Sequence, residues 1–452
     1  MTQCSEQQFQ FSTRGSREVV AEFNGGTITS DGGILLLQET DKKMNLLSRF
    51  SGCFLDGRDQ AKVEHSVEQM LRQRVYALAQ GYEDLNDHEQ LRNDPLLGVL
   101  CGKAEPGKDL LAGKSTLNRL ELGTGEPDRY KKITFWRDSV DQLLVDTFLD
   151  SHVTAPSQIV LDIDTTDMEI HGKQEGRFFH GYYGHYCYLP LYIFCGNQAL
   201  CARLRPSSVG AAVGTRKEIE RIVKQIRVRW PQVQIIVRGD SGFCADEIMA
   251  WCEKSQVDFV LGLARNKRLE ALIVDALGQA KQQFESTQQA ARVFVEFEHE
   301  TLSGTWSQKR RVVAKAEHID GKSNPRFIVT SLGGQSWQMR ELYEELYCAR
   351  GDMENRIKEQ FVLFADRVSA STMRANQLRL YLSVMAYTLM NGLRRMGLQA
   401  TELATAQVGT IRLKLLKIGA QVRVTVRKVW VKMASSYPGQ AMFAQVLQQL
   451  RA

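Results

Sequence analysis

The chain has 452 residues, 43% apolar, 24% charged and 8% aromatic, a composition that excludes disorder, collagen-like repetition and a small disulfide-stapled scaffold. Its 58 Lys and Arg against 52 Asp and Glu give a formal charge of +6, too slight by itself to name a polyanionic partner. The nine cysteines include no pair at zinc-finger spacing, the first 22 residues have no apolar core of an export signal, and the apolar run 381–393 is too short to span a membrane. A cytoplasmic protein with reduced thiols and no membrane partner is therefore expected.

At roughly 150 residues per domain the length implies several domains. Residues 1–150 read as a mostly helical domain suited to DNA binding: Val67, Met70, Leu71, Val75 and Leu78 fall on one helical face. Residues 110–122 form a second apolar-periodic segment, interrupted at Ala112-Gly113. Lys114, Ser115, Asn118 and Arg119 after the break could present the recognition helix of a helix-turn-helix; an ordinary helical bundle accounts for them at least as well.

From Pro156 the pattern changes to strands alternating with helices, the mark of an α/β layer. Strands are expected at 159–164, 234–238 and 258–264, an aromatic-rich extended run at 177–196, and helices at 215–230 and 246–254. Residues 266–325 interrupt this alternation with a Gln/Ala-rich piece and two strand-like runs, 293–302 and 310–316. The pattern resumes at 326–330 and continues into a helical stretch over 337–360. The expected bodies are thus 156–265 and 326–366 as two parts of one α/β core, 266–325 as a β-rich insertion, and 367–452 as a basic α+β end. In that last segment an apolar helix, a basic helix (403–418), a strand pair (422–431) and a short helix follow one another. It holds 13 Lys or Arg and one acid, Glu402, for +12, whereas residues 1–366 carry −6. In the strand pair, Val424 and Val426 are expected on a buried face and Arg423 and Arg427 on a cationic one. A basic stretch of that length suits phosphate contacts with DNA.

Three acidic positions stand where carboxylates could hold divalent cations. Asp162 and Asp164 are two residues apart at the end of a buried strand, so both leave the same sheet face. Asp240 ends a second strand. Glu354 shares a helical face with Tyr347, Arg350 and Lys358, at spacings of three and four. Carboxylates so arranged can hold two Mg²⁺ ions for phosphoryl transfer. A helix cap or a surface ion pair explains any one of them singly. The segment Asp162-Ile163-Asp164-Thr165-Thr166 also fits a haloacid dehalogenase-like phosphatase, with Asp162 as nucleophile and Asp164 as general acid. A DNA-binding regulator without catalysis is the third reading. His171, His180 and His185 match no ligand spacing and read as satisfied strand histidines.

Taken in order along the chain, several motifs carry a family resemblance: Phe23-Asn24-Gly25-Gly26 with Ser30-Asp31-Gly32-Gly33, Asp162-Ile163-Asp164-Thr165-Thr166, His171-Gly172-Lys173-Gln174-Glu175-Gly176, Arg238-Gly239-Asp240-Ser241-Gly242-Phe243, and Tyr347-Cys348-Ala349-Arg350-Gly351-Asp352-Met353-Glu354-Asn355. Over nearly its whole length the sequence resembles a bacterial DDE transposase of the insertion-sequence 1380 family, related to the family-four group with its Y-(2)-R-(3)-E-(6)-K signature. The resemblance implies an α/β fold with a ribonuclease H-like catalytic core. It makes Asp164, Asp240 and Glu354 the catalytic metal ligands, with Mg²⁺ as cofactor and Mn²⁺ as its substitute. Asp164 is preferred because related enzymes place Thr or Ser directly after the first catalytic Asp; Asp162 stands as the alternative. Tyr347 and Arg350 would contact DNA phosphates. Where the family has its lysine this chain has Phe361, and Lys358 would take over that contact. Related enzymes hold a DNA hairpin with a β-rich insertion, which makes Trp306 a candidate base-stacking residue, although a lone Trp in a β region is more often core. The implied partners are double-stranded DNA, as transposon ends and target, and a second copy of the chain in a homodimer on DNA, with nucleoid association when bound.

Overall fold

The computed structural model describes residues 8–103, 105, 109–302 and 304–452. Two compact units divide the chain, one made of Met1–Thr134 with Met385–Ala452 and the other of Phe135–Val384.

The second unit is built on a mixed sheet whose strands are β1 (Gln158–Thr165), β2 (Leu191–Cys195), β3 (Gln198–Arg203), β4 (Gln234–Gly239), β5 (Asp258–Leu263), β6 (Ala291–His299), β7 (Arg310–Ile319) and β8 (Arg326–Thr330). Their order is β3-β2-β1-β4-β5-β8-β7-β6, with a two-residue strand Lys322–Ser323 beside β7. β1, β4 and β5 run parallel, and the remaining neighbours pair antiparallel.

Strand alternation assigns the two faces. Ile159, Leu161 and Ile163 of β1, with Ile235 and Val237 of β4, are packed in one core with Ile219, Ile222 and Val223 of helix α1 (Thr215–Arg229) and Ile248 and Met249 of α2 (Asp246–Lys254). Val160 and Ile236 belong to the other face, where Val260, Leu342, Tyr343 and Leu346 cover them. Asp162, Arg238, Asp164 and Asp240 continue this second face toward the carboxyl ends of β1 and β4.

The helical stretch expected over 337–360 is wound in three ways. A short turn, Met339–Glu341, leads into a π-helical segment, Leu342–Tyr347, then a 3₁₀ turn, Cys348–Arg350, and only then into the α-helix α3 (Gly351–Val362). π-Helical turns concentrate at functional sites. Here the widened turn offers the Leu346 carbonyl oxygen to Arg238 on the sheet below.

Four further expectations change. The aromatic run 177–196 is not one strand: Gly181, Gly184 with φ of +75°, and Pro190 break it into Phe178–His180, His185–Tyr188 and β2. Within residues 266–325 the helices Lys267–Ala271 and Val274–Thr287 precede β6 and β7, and these two strands prolong the central sheet through β8. Trp306 is only 9% exposed and sits edge-on to His299 at 5.6 Å, so it is a core side chain rather than a base-stacking one. The helix-turn-helix also fails, because residues 110–113 are not helical. The Gln73 amide accepts from Ala112 N and donates to Ala112 O, at 3.1 and 2.8 Å, holding that backbone as a strand partner would. Only Lys114–Glu121 is helical there, with Lys114, Ser115, Asn118 and Arg119 on its surface or nearly so.

In the first unit, helix Gln440–Arg451 packs on helix Ile34–Met44. The Asp31-Gly32-Gly33 motif lies against residues 415–418: Gly32 N donates to Ile418 O at 2.7 Å, Gly33 N donates to Leu416 O at 3.1 Å, and Lys417 pairs with Asp31 at 2.7 Å. A β-carbon on Gly33 would collide with the Leu415 carbonyl, so this close approach needs glycine. The basic helix expected over 403–418 is confined to Val408–Ile411 and Arg412–Leu416.

The hairpin of Ala420–Val424 and Val429–Met433 pairs with Ile28–Thr29 only at Ala420 and Gln421. Burial of this end reaches Val422 and goes no further along that strand. Val422 is 4% exposed, but Val424 is 37% and Val426 104% exposed, which overturns the expected apolar face. Among the 13 basic residues, Arg394 donates to Ala406 O, and Arg412 to Leu78 O and Ala79 O. The cations of the hairpin, Arg423, Arg427, Lys428 and Lys432, are exposed.

Candidate active site

Two neighbouring rungs of the β1–β4 ladder place the acidic residues expected from sequence. The parallel register pairs Asp162 with Arg238 and Ile163 with Gly239, so Asp164 and Asp240 emerge next to each other at the carboxyl ends of adjacent strands. Asp164 is 9% exposed; its Oδ1 accepts from Thr165 N at 2.8 Å, and Arg350 Nη1 stands 3.6 Å from its Oδ2. Burial, together with the carboxylates of Asp240 and Glu354, pushes the Asp164 carboxyl up to about 6, against the lowering effect of Thr165 N–H and Arg350. The three predicted carboxylates therefore share one electrostatic neighbourhood. Asp240 also caps the 3₁₀ turn Ser241–Phe243, accepting from Gly242 N at 2.8 Å.

Asp162 has a different environment. Arg238 Nε and Nη2 donate to its two oxygens at 2.5 and 2.9 Å, and both side chains are buried. Burial still raises the Asp162 carboxyl, opposed by this bidentate partner. The same guanidinium donates to Leu346 O, and so ties β1, β4 and the π-helical turn together.

Glu354 lies in the first turn of α3, exposed, and Lys358 follows one turn later on the same face, also exposed. Phe361, where the family signature has its lysine, is half-buried. Tyr347 and Arg350 line a cavity of about 230 Å³ with Asp240, Gly262, Arg265 and Arg326. Burial raises the Tyr347 phenol. A β-carbon on Gly262 would stand 2.6 Å from the Tyr347 hydroxyl, so this glycine leaves the space that the phenol occupies over the sheet edge.

Whether the site suits a divalent cation can be judged from its donors. Among the described residues no group of three or more His, Cys, Asp or Glu stands close enough to enclose an ion. The carboxylates do supply hard oxygen donors, so the donor chemistry, although not the present spacing, fits such an ion. The histidines contribute nothing to it: His185 Nε2 is 2.8 Å from Asp167, whereas His171 is exposed and outside any strand.

Arg238, Arg265 and Arg326 were missed from sequence. Arg238 had a readable signal, since a cation inside a buried strand, two residues from an acid on the same face, requires a partner. Arg265 and Arg326 reach the cavity from the end of β5 and the start of β8, a proximity that only the sheet order creates.

No curated protein matches the chain. Among solved structures it is similar to the piggyBac transposase in a cryo-EM synaptic complex with hairpin DNA, at a TM-score of 0.41 and 10% identity, covering 86% of this chain and 80% of that one. A likeness so low carries no argument. The match that decides is to the family described as "Transposase DDE domain group 1", which runs over residues 11–452. The acidic strand ends therefore lie within a family-wide domain, and the chain belongs to that family: it is a DDE transposase.

Proposed function

We propose that this transposase binds the terminal inverted repeats of an insertion sequence of the 1380 family and performs DNA strand cleavage and strand transfer, with Asp164, Asp240 and Glu354 as catalytic carboxylates of a ribonuclease H-like core. The observation that carries this reading is the parallel register of β1 and β4, with Asp164 and Asp240 at its open end and Glu354 acting on the same carboxylate. The sheet order, with β1 central and parallel to β4 and antiparallel to β2, supports the core assignment.

DDE transposases use divalent metal ions, and Asp164, Asp240 and Glu354 would hold Mg²⁺ here, with Mn²⁺ as substitute. When bound, the ion would supply activation of water and stabilisation of the leaving oxygen. The chain's own residues do the rest. Arg350, facing Asp164 and the cavity, binds a phosphate next to the reacting strand, and Tyr347 orients it from the cavity wall. Arg265 and Arg326 extend this cationic rim, and Lys358 offers a further phosphate contact from α3. Asp162 acts by position: its ion pair with Arg238 holds the two strand ends and the π-helical turn in place.

The same pair weighs against a haloacid dehalogenase-like phosphatase, because the nucleophile that such an enzyme needs has both oxygens engaged by Arg238. For DNA, residues 1–150 and the basic segment 367–452 are the proposed binding regions, with the exposed hairpin cations as its phosphate contacts, in a cytoplasmic homodimer assembled on two ends. Cleavage of the DNA flanking the gene tests the whole reading. Wild-type protein with Mg²⁺ should nick the terminal repeats, and nicking that persists in Asp164→Ala, Asp240→Ala and Glu354→Ala proteins would refute it.

A further inference from the structure

The two edges of the central sheet end differently. At β3 the edge is closed: Ala199, Leu200, Cys201 and Ala202 are buried, and the helix Arg137–Asp150 packs on the strand. At β6 it is open. Every residue from Ala291 to His299 pairs with β7 on one side, and no described strand pairs with the other. A long free edge presents a row of N–H and C=O groups to which a second chain can add a strand. Its side chains leave it accessible: only the end residues Ala291 and His299 are buried, Val293, Phe294, Val295 and Phe297 are half-buried, and Arg292, Glu296 and Glu298 are exposed.

Charges on an edge strand ordinarily keep another strand away, but here their order selects a partner. We propose that β6 pairs antiparallel with β6 of a second copy, about a two-fold axis at Val295, in a dimer that needs no DNA. In an antiparallel ladder, opposed residues turn their backbone groups the same way, so the axis must pass through a residue and not between two. With the axis at Val295 the whole strand finds partners. Arg292 then faces Glu298 of the partner subunit at both ends of the ladder, Val293 faces Phe297 of the partner subunit, and Val295 meets its own copy.

Directly opposed residues share a sheet face, so the charged and the apolar pairs separate cleanly. Val293, Val295 and Phe297 already pack at the margin of one core, which the partner strand would extend. On the other face Arg292, although held by Glu317 and Glu344, keeps its side chain 44% exposed, and Glu298 has no ion pair among the described residues. Neighbouring registers are poorer. An axis at Phe294 brings Arg292 to Glu296, which Arg311 already holds, and leaves Glu298 beyond the end of the ladder; an axis at Glu296 sets that carboxylate against its own copy. The proposal does not rest on the homodimer assembled on two DNA ends: it requires association of the chain alone, and it joins two central sheets into one.

Sedimentation velocity of the full chain without DNA should show a monomer–dimer equilibrium that moves toward dimer as concentration rises. Glu298→Arg sets two like-charged pairs in the ladder and should weaken association roughly 10-fold or more, with the thermal midpoint of the monomer unchanged. Val295→Lys, which places two charges at the axis, should act in the same direction. Oxidation supplies the register: opposed Cα atoms in an antiparallel ladder stand about 4.5–5.5 Å apart, within disulfide reach, so Val295→Cys should crosslink two copies. Glu298→Cys, whose own copy lies at the far end of the ladder, should not. A wild-type chain that stays monomeric without DNA overturns the proposal. So does a dimer that Glu298→Arg and Val295→Lys both leave intact, or a Val295→Cys chain that crosslinks no better than Glu298→Cys. Failure of the wild-type chain to nick its terminal repeats would overturn the DNA-strand reading and leave this result standing.

Discussion

Two rungs of the same ladder, one residue type apart in their partners, have opposite fates. At the inner rung Asp162 faces Arg238, and a bidentate ion pair closes it. At the outer rung Asp164 adjoins a second acid, Asp240, and its nearest cation, Arg350, remains at 3.6 Å. The inner rung uses its charge to hold strands together; the outer one keeps charge in surplus, and burial, with the neighbouring Asp240 and Glu354, raises Asp164 to about 6. Surplus negative charge at a strand end is what a metal-dependent site requires, and a satisfied pair one rung deeper is what keeps that end from moving.

This contrast can be broken experimentally, most strongly at the outer rung. Asp240→Asn or Glu354→Gln should reduce strand cleavage by on the order of 10³-fold, roughly 4 kcal/mol of barrier, with little change in thermal midpoint. A matching loss in stability would instead make these residues structural. At the inner rung the expectation reverses: Arg238→Ala leaves Asp162 buried and unpaired, and should cost about 3–5 kcal/mol in denaturant unfolding. Replacing both partners with apolar residues of similar size should recover most of that loss, which a purely catalytic role for Asp162 does not predict.

The titration of Asp164 sharpens the comparison. Its folded carboxyl is raised from 3.8 to about 6, so in that window the native state binds more protons than the unfolded chain. Its contribution to stability is favourable below pH 4 and is lost as pH rises through 6, by about 1–3 kcal/mol for metal-free protein. Asp164→Asn should remove this pH dependence, as measured by unfolding at pH 4 and pH 7. Cation binding, which needs the carboxylate, should weaken as pH falls below about 6. The smallest effect concerns cations. Arg427, exposed on the hairpin, should change stability by less than about 0.5 kcal/mol when replaced by Ala, and should lower the salt slope of DNA binding by about one. Arg412, whose guanidinium serves Leu78 O and Ala79 O, should show the reverse pattern.

Much of the second unit was legible from the chain alone. Helix Asp246–Lys254 and strand Arg326–Thr330 match their expected bounds, because strong amphipathic and β-branched patterns are flanked by clear breaks. The helical stretch 337–360 was legible in extent but not in winding, since a π-helical turn is decided by what it packs against. The buried face assigned to Val424 and Val426 failed for a related reason: alternation shows which residues share a face, not whether anything covers it. Choosing between Asp162 and Asp164 from local pattern was equally out of reach, because both lie on one strand face in a nearly identical setting.

What the sequence by itself determined is the set of acidic strand ends, the order of the motifs and the concentration of basic residues after residue 366, because period and composition are local properties of a chain. What the tertiary structure decided is partnership. The β1–β4 register gave Arg238 to Asp162 and left Asp164 beside Asp240, and the sheet order brought Arg265 and Arg326 to the same cavity. Charges interact through distances set by folding, so the same carboxyl group is closed in an ion pair at one rung and left beside a second acid at the next.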